Sequence, residues 1–350
     1  TSDGDRCISD CAREATQIIN MGHTLGGAAR FAPKQGAQFH FTFKGSVQGF
    51  QVQSGTAQLS NPDGDALHIS GKAGARIGTP VFAPSLEVAE YFEKAHYKLM
   101  ASPRIFPGQQ VYAGVSSADA NLYIAYYGDG DEPCYVDVDS PDDALNPSLH
   151  VPTVPGPIFE VGLRLNKDVS LQLDHVGWQG NPEVTFERPK HKGLMWKRAW
   201  VDAVDQLVGW SEMFRLVQNE GLGMISQGTR EWTNYVVSAD VTPHLVSRAG
   251  VAARVQGLTR FYALMVTLDQ KVQLVKSVHA ESVLAEAEFN WTLGDTLNMS
   301  LHVNGDALVG EINGAVVLTA TDAALDSGAI GLVVADGRTA TNTVTVAPLS

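Results

Sequence analysis

Two hydrophobic periods run along this chain, one helical and brief, the other of period two and repeated to the C-terminus. Residues 6 to 30 place Ile8, Cys11, Ala15, Ile18, Ile19 and Leu25 at helical spacing, with Ser2 or Asp3 as N-cap and Gly26-Gly27 as the stop. One amphipathic helix cannot bury its own face, so it needs a β domain or another chain to pack on. From Phe39 the period becomes two: Phe39, Phe41 and Phe43 alternate with His40 and Thr42. Short β runs follow over Gln51–Leu59, Ala66–Ser70, Val111–Val115, Leu122–Tyr127, Phe159–Leu165 and Val169–Trp178. Turns at Asn61-Pro62-Asp63-Gly64-Asp65 and Gly128-Asp129-Gly130-Asp131 separate some of them. Residues 84 to 100 read as a short helix or a long crossing loop.

Arg188-Pro189-Lys190-His191-Lys192-Gly193 is a polar, basic linker, and a second set of strands lies beyond it. These cover Val236–Val241, Gly250–Gln256, Tyr262–Leu268, Val272–Ser277, Thr296–Val303, Ala307–Ile312, Ala315–Thr319 and Ala329–Val334. Asn304-Gly305 and Asn313-Gly314 predict hairpin turns of the primed type, which need positive φ at both central residues. The expected organisation is mainly β: a helical segment over 1–36, a jelly-roll sandwich over 37–188 and a concanavalin-like sandwich over 189–350, both antiparallel.

Length agrees, because 350 residues exceed what a single core commonly serves, and 34 glycines with 16 prolines suit many turns. A net charge of −13 with no Lys/Arg cluster argues against nucleic acid and leaves a neutral glycan or a cationic metal as the more natural partner. No apolar stretch reaches the roughly 20 residues of a membrane-spanning helix. Thr1 is not a start methionine, so the chain reads as a processed, cleaved or truncated product. Cys7 and Cys11 read as two thiols, or as a disulfide in a partly unwound turn; Cys134 is isolated in a loop.

Residues 46 to 178 resemble jelly-roll carbohydrate-binding modules. The likeness is carried by Gly45-Ser46-Val47-Gln48-Gly49-Phe50 and by Leu173-Asp174-His175-Val176-Gly177-Trp178. Residues 226 to 346 resemble the concanavalin-like sandwich of levan-type binding modules and of 3-keto-disaccharide hydrolase domains. There the matching text is Ser247 to Arg254, Arg260-Phe261-Tyr262-Ala263-Leu264 and Asp326 to Leu332. The order of helix, jelly roll and concanavalin-like domain is similar to the tail of some bacterial ADP-ribosylglycohydrolase-family proteins. The likeness to carbohydrate-binding sandwiches implies a secreted or cell-surface protein, with a cytoplasmic one left open. The ADP-ribosylglycohydrolase resemblance implies a catalytic domain upstream or on another chain, holding two Mg2+ ions by clustered aspartates. Asp3-Gly4-Asp5 matches one such motif faintly.

Candidate ligand residues follow from what a sugar needs: rings for its C–H faces, and Arg, Asn, Gln or Glu for its hydroxyls. In the second sandwich these are Arg230, Trp232, Arg254, Gln256, Tyr262, Glu311 and Asn313, expected to converge on one concave sheet. Arg254→Ala and Tyr262→Ala are then expected to weaken binding while leaving the melting temperature unchanged. In the first sandwich the aromatic candidates are Tyr123, Tyr126, Tyr127 and Trp178, with Tyr126 and Tyr127 on opposite faces. Acidic loops would supply the oxygens of a structural Ca2+, with Asp129, Asp131 and Asp174 as its ligands.

Zinc spacing, a nucleophile elbow and a Gly-rich phosphate loop are all missing from the sequence. Thr1 is followed by a turn rather than the strand an N-terminal nucleophile needs. The first expectation is therefore a carbohydrate-recognition and scaffold region of a glycoside hydrolase, binding an oligo- or polysaccharide. The alternatives are a chain that completes a hydrolase site with an upstream partner, and a structural or adhesion spacer.

Overall fold

The computed structural model describes residues 36–41, 43–81, 104–128, 132–137, 145–155, 157–188, 197, 200–208 and 212–349. The expected helix at 6–30, the cysteine pair, the 84–100 segment, Asp129, Asp131 and most of the linker lie outside them. The described chain is all β and divides into two compact units, Thr1–Gly180 and Asn181–Ser350.

The first unit contains β1 (Gly36–His40), β2 (Gln51–Ser54), β3 (Ala57–Ser60), β4 (Leu67–Gly71), β5 (Arg76–Pro80), β6 (Gln110–Val115), β7 (Ala120–Tyr127), β8 (Pro133–Asp137), β9 (Ser148–His150), β10 (Ile158–Leu165) and β11 (Val169–Gln179). One sheet runs β3-β4-β11-β6-β9, with β1 beside the far half of β11; the other runs β2-β5-β10-β7-β8. The pairs β2/β3, β4/β5, β6/β7 and β10/β11 each cross from one sheet to the other, the jelly-roll weave. Alternation fills the space between them: Leu67, Ile69, Leu171, Leu173 and Trp178 from one sheet meet Ile77, Leu122, Ile124, Val161 and Leu163 from the other, all under 5% exposed.

Three sequence expectations change here. Gln51–Leu59 is not one strand, because Gly55 at φ +78° turns the chain between the two sheets. A Cβ there would stand 2.8 Å from the Ala75 Cα. The Phe39–Phe43 run ends as a strand at His40; Phe41 enters the core against Phe50, while Phe43 is 40% exposed. Residues 181–188, expected with the first sandwich, belong to the second unit, where Val184–Glu187 pairs with Thr343–Val346.

The second unit contains β12 (Val184–Glu187), β13 (Val201–Ala203), β14 (Gln206–Val208), β15 (Phe214–Gln227), β16 (Tyr235–Leu245), β17 (Arg248–Gly257), β18 (Arg260–Thr267), β19 (Lys271–Val278), β20 (Ala280–Glu288), β21 (Leu297–Asn304), β22 (Ala307–Ile312), β23 (Ala315–Thr321), β24 (Ala329–Thr341) and β25 (Thr343–Pro348). One layer is β20-β19-β18-β17-β24-β15 and the other β23-β22-β21-β16-β25-β12; the two join where Thr242–Leu245 meets the end of β24. The layers interlock closely enough that a Cβ on Gly310 would lie 2.6 Å from the Leu264 side chain. Asn313-Gly314 forms its primed turn, with φ of +53° and +78° and Ile312 facing Ala315. At the preceding hairpin Asn304 faces Ala307, so the turn is Gly305-Asp306, one residue later than expected.

Candidate functional site

The outward face of the five-stranded sheet in the first unit gathers groups that a packed core has no use for. Register sets them in rows. Gly78, Gly162, Tyr123 and Asp137 are mutual cross-strand neighbours, and beside them run Pro80, Glu160, Ala125 and Tyr135. Arg76 and Arg164 oppose each other at one end. Two glycines form the floor: a Cβ on Gly78 would lie 2.7 Å from the Tyr123 hydroxyl and 2.9 Å from Glu160 Cγ, and one on Gly162 would lie 2.1 Å from the Ile77 carbonyl oxygen. Across that floor the Tyr123 hydroxyl donates to Glu160 Oε1 at 2.5 Å.

Above this pair lies the Arg76 guanidinium, 4.0 Å from the centre of the Tyr135 ring and 5.9 Å from that of Tyr123. Tyr135 is 41% exposed, whereas Tyr123 is fully buried and Glu160 nearly so. Asp137 accepts from Arg164 Nε at 2.5 Å through Oδ2. Arg76 Nε and Asp137 Oδ1 remain without hydrogen-bond partners among the described residues. Tyr127 stacks on Phe159 with ring centres 4.4 Å apart on the same strands.

Electrostatics follow from this burial. Desolvation pushes the Glu160 carboxyl up to about 7, against the opposing pulls of the Tyr123 hydroxyl and Arg76. Burial and the Glu160 charge hold the Tyr123 phenol well above its ordinary range. The face thus offers a guanidinium, two carboxyl groups and a partly exposed ring around a shallow glycine-floored recess.

The outward face of the six-stranded sheet is also polar, but its groups satisfy one another. Ser70 bonds Ser170, Gln172 meets His68, and His175 Nδ1 lies 2.8 Å from Asp174 Oδ2. Rings lie flat on this sheet where glycines admit them, His175 over Gly114 and Tyr112 over Gly177. Asp174 thus partners a histidine; Asp129 and Asp131, expected beside it as Ca2+ ligands, lie outside the described residues. The one grouping of metal-type donors among the described residues is Asp63, Asp65 and His68, with ligand atoms within 4.8 Å of one another.

The seven candidates of the second sandwich do not converge on one sheet face. Arg254 sits in a bulge at φ +49°, and the bulge breaks the alternation that would have set it beside Gln256. Its side chain is 1% exposed and donates to the carbonyls of Thr233, Gly305 and Leu325. Tyr262 is fully buried; its hydroxyl donates to Asp322 Oδ1 at 2.6 Å and accepts from the Leu325 amide. Trp232 is buried against Tyr235. Arg254 and Tyr262 hold loops together and Trp232 packs inside, so none of the three faces solvent on a shared sheet face as expected. Glu311 lies on the outward side of the other layer, 3.4 Å from His302 Nε2, and Asn313 shapes its turn. On the surface, Arg230 and Gln256 come together at 3.4 Å, and Arg260 joins them.

The large layer of this unit offers no polar platform around Phe261. Met224, Ala252, Phe261, Ala263, Met265, Val275 and Val333 form an apolar cluster on the side away from the inter-layer core, each at most 2% exposed. In the first unit Trp178 is core, Tyr126 packs against the core and Tyr127 faces outward, as alternation requires. Sequence reading passed over Arg76, Tyr135, Glu160 and Arg164, and took Asp137 only for an acidic loop residue. The available signal was Gly78 and Gly162 within otherwise apolar strands, since a strand glycine marks a close approach.

No family model and no curated protein matches this chain. Among solved structures it is similar to the carbohydrate-binding module CBM66 of Bacillus subtilis, with a TM-score of 0.40 and 18% identity over 42% of this chain and 94% of that one. A Bacillus subtilis protein of unknown function with a galectin-like fold gives 0.36 and 14%, covering 43% and 90%. Galectin LEC-6 of Caenorhabditis elegans gives 0.29 and 10%, covering 44% and 99%.

Proposed function

We propose that this chain recognises carbohydrate, and that the outward face bearing Arg76, Tyr135, Glu160 and Asp137 is where a sugar binds. The observation that carries the reading is the Arg76 guanidinium stacked on the exposed Tyr135 ring, with its Nε and Asp137 Oδ1 lacking hydrogen-bond partners among the described residues. A buried donor and acceptor left unmatched cost stability unless a ligand or water completes them. A sugar ring suits the rest of this face: its C–H side meets the exposed Tyr135 ring, while its hydroxyls bond the accessible parts of the guanidinium and the carboxylate.

The wider role we assign is the recognition and scaffold region of a glycoside-acting enzyme, of the ADP-ribosylglycohydrolase kind, with its catalytic domain upstream or on another chain. Two sandwiches, one bearing an open polar face, support the recognition half; the sequence resemblance supports the enzyme half.

Screening the full chain on a glycan array, beside Arg76→Ala and Tyr135→Ala, tests the binding reading. Each substitution should weaken the best ligand about tenfold, with Tyr135→Ala leaving the melting temperature close to wild type. No bound glycan with both units folded, or variants that bind like wild type, overturns it.

A further inference from the structure

One end of the second unit holds a pair of arginines that form no ion pair with a carboxylate among the described residues. Arg230 lies in the turn before β16 and Arg260 opens β18. Arg230 Nη2 and both Nε and Nη2 of Arg260 approach Gln256 Oε1 at 3.4 Å, beyond the normal range of such a bond. Gln256 has its amide orientation set from behind, because Nε2 donates to the Ser327 carbonyl at 2.9 Å. Neither arginine forms an ion pair among the described residues, although the whole chain carries a net charge of −13. Asp326 stands near enough to Arg230 to offset part of the charge. Burial and the neighbouring Arg260 both disfavour the charged form of Arg230.

The loops that carry these groups are held firmly from below. Arg254 ties the carbonyls of Thr233, Gly305 and Leu325 to one guanidinium. The Tyr235 hydroxyl accepts from the Arg254 amide and donates toward the carbonyls of Gly328 and Ala329 at 2.9 Å. Tyr262 anchors Leu325 in the same loop. Two like charges are thus placed side by side on a rigid support, with one neutral oxygen between them. That arrangement lowers its energy when an anion enters, and guanidinium forks match the two oxygens of a carboxylate.

We infer that Arg230, Arg260 and Gln256 form an oxyanion site that takes the carboxylate of an acidic sugar residue. The sugar half of this assignment rests on the carbohydrate reading above; the oxyanion half does not. Calorimetric titration of the full chain with a polygalacturonate oligosaccharide, with the same oligosaccharide fully methyl-esterified, and with inorganic phosphate separates the two. The acid form should bind about tenfold or more tightly than the ester, and Arg230→Gln or Arg260→Gln should erase the difference while leaving the melting temperature near wild type. Phosphate bound by these arginines without the acidic oligosaccharide overturns the sugar assignment. Equal binding of acid and ester, or indifference to both substitutions, overturns the site. Repeating the titration with Tyr135→Ala keeps a failure of the first-unit face distinguishable from a failure here.

Discussion

Replacing Glu160 with glutamine tests the electrostatics of the first-unit face without disturbing its shape. In the folded protein this carboxyl is 7% exposed and its pKa is raised from an ordinary 4.5 to about 7, chiefly by burial. The folded state therefore binds more protons than the unfolded state between those two values. Its contribution is fully present below about pH 4.5 and is lost as pH rises through 7. The gap corresponds to about 3 kcal/mol between the two limits. Glutamine keeps an Oε1 that can accept from Tyr123 and carries no charge at any pH. Wild type should then lose about 3 kcal/mol relative to Glu160→Gln between pH 4 and pH 8. That is about 6 to 12 °C in the melting of a unit this size. Calorimetric scans of both proteins across that range measure it directly. Parallel pH curves, with a constant gap between the two proteins, would show that Glu160 titrates as an exposed carboxyl and would refute the buried acid.

Gly78→Ala should push Tyr123 and Glu160 apart and destabilise the first unit by about 1–3 kcal/mol, read by denaturant unfolding, with sugar binding lost at temperatures where the chain is still folded. Arg254→Met should leave three carbonyls without a donor and cost about 3 kcal/mol; an unchanged melting temperature would return Arg254 to the list of ligand contacts. Asn313→Gly and Asn313→Ala both remove the bond that Oδ1 accepts from the Asn298 amide, but the alanine also resists a left-handed turn and should cost about 1 kcal/mol more than the glycine; equal melting temperatures would contradict the turn geometry.

The β periodicity was legible where alternation is written in adjacent residues, as in Leu297 to Val303. Strands that break the alternation were not. β15 carries exposed Asn219 to Gly221 at a bulge between two more buried stretches, and so shows no single period. β24 extends past Val334 because its second half serves the other layer, and nothing local announces that. Arg254 misled for a related reason: a side chain on a strand reads as outward or inward by parity, and its bulge reverses parity within one residue. The recess of the first unit is assembled from β5, β7, β8 and β10, of which only β7 and β8 are neighbours in sequence. Its residue types were visible in the chain; their register was not.

A crystal structure of the full chain with its best-bound oligosaccharide tests the central claim most directly. The account predicts a sugar ring against Tyr135, with hydroxyls in hydrogen-bond reach of Arg76 and Asp137 and the Tyr123–Glu160 pair undisturbed beneath. An oligosaccharide held on the His175 and Tyr112 face, or on the second unit alone, with the Arg76–Tyr135 stack left bare, would contradict it.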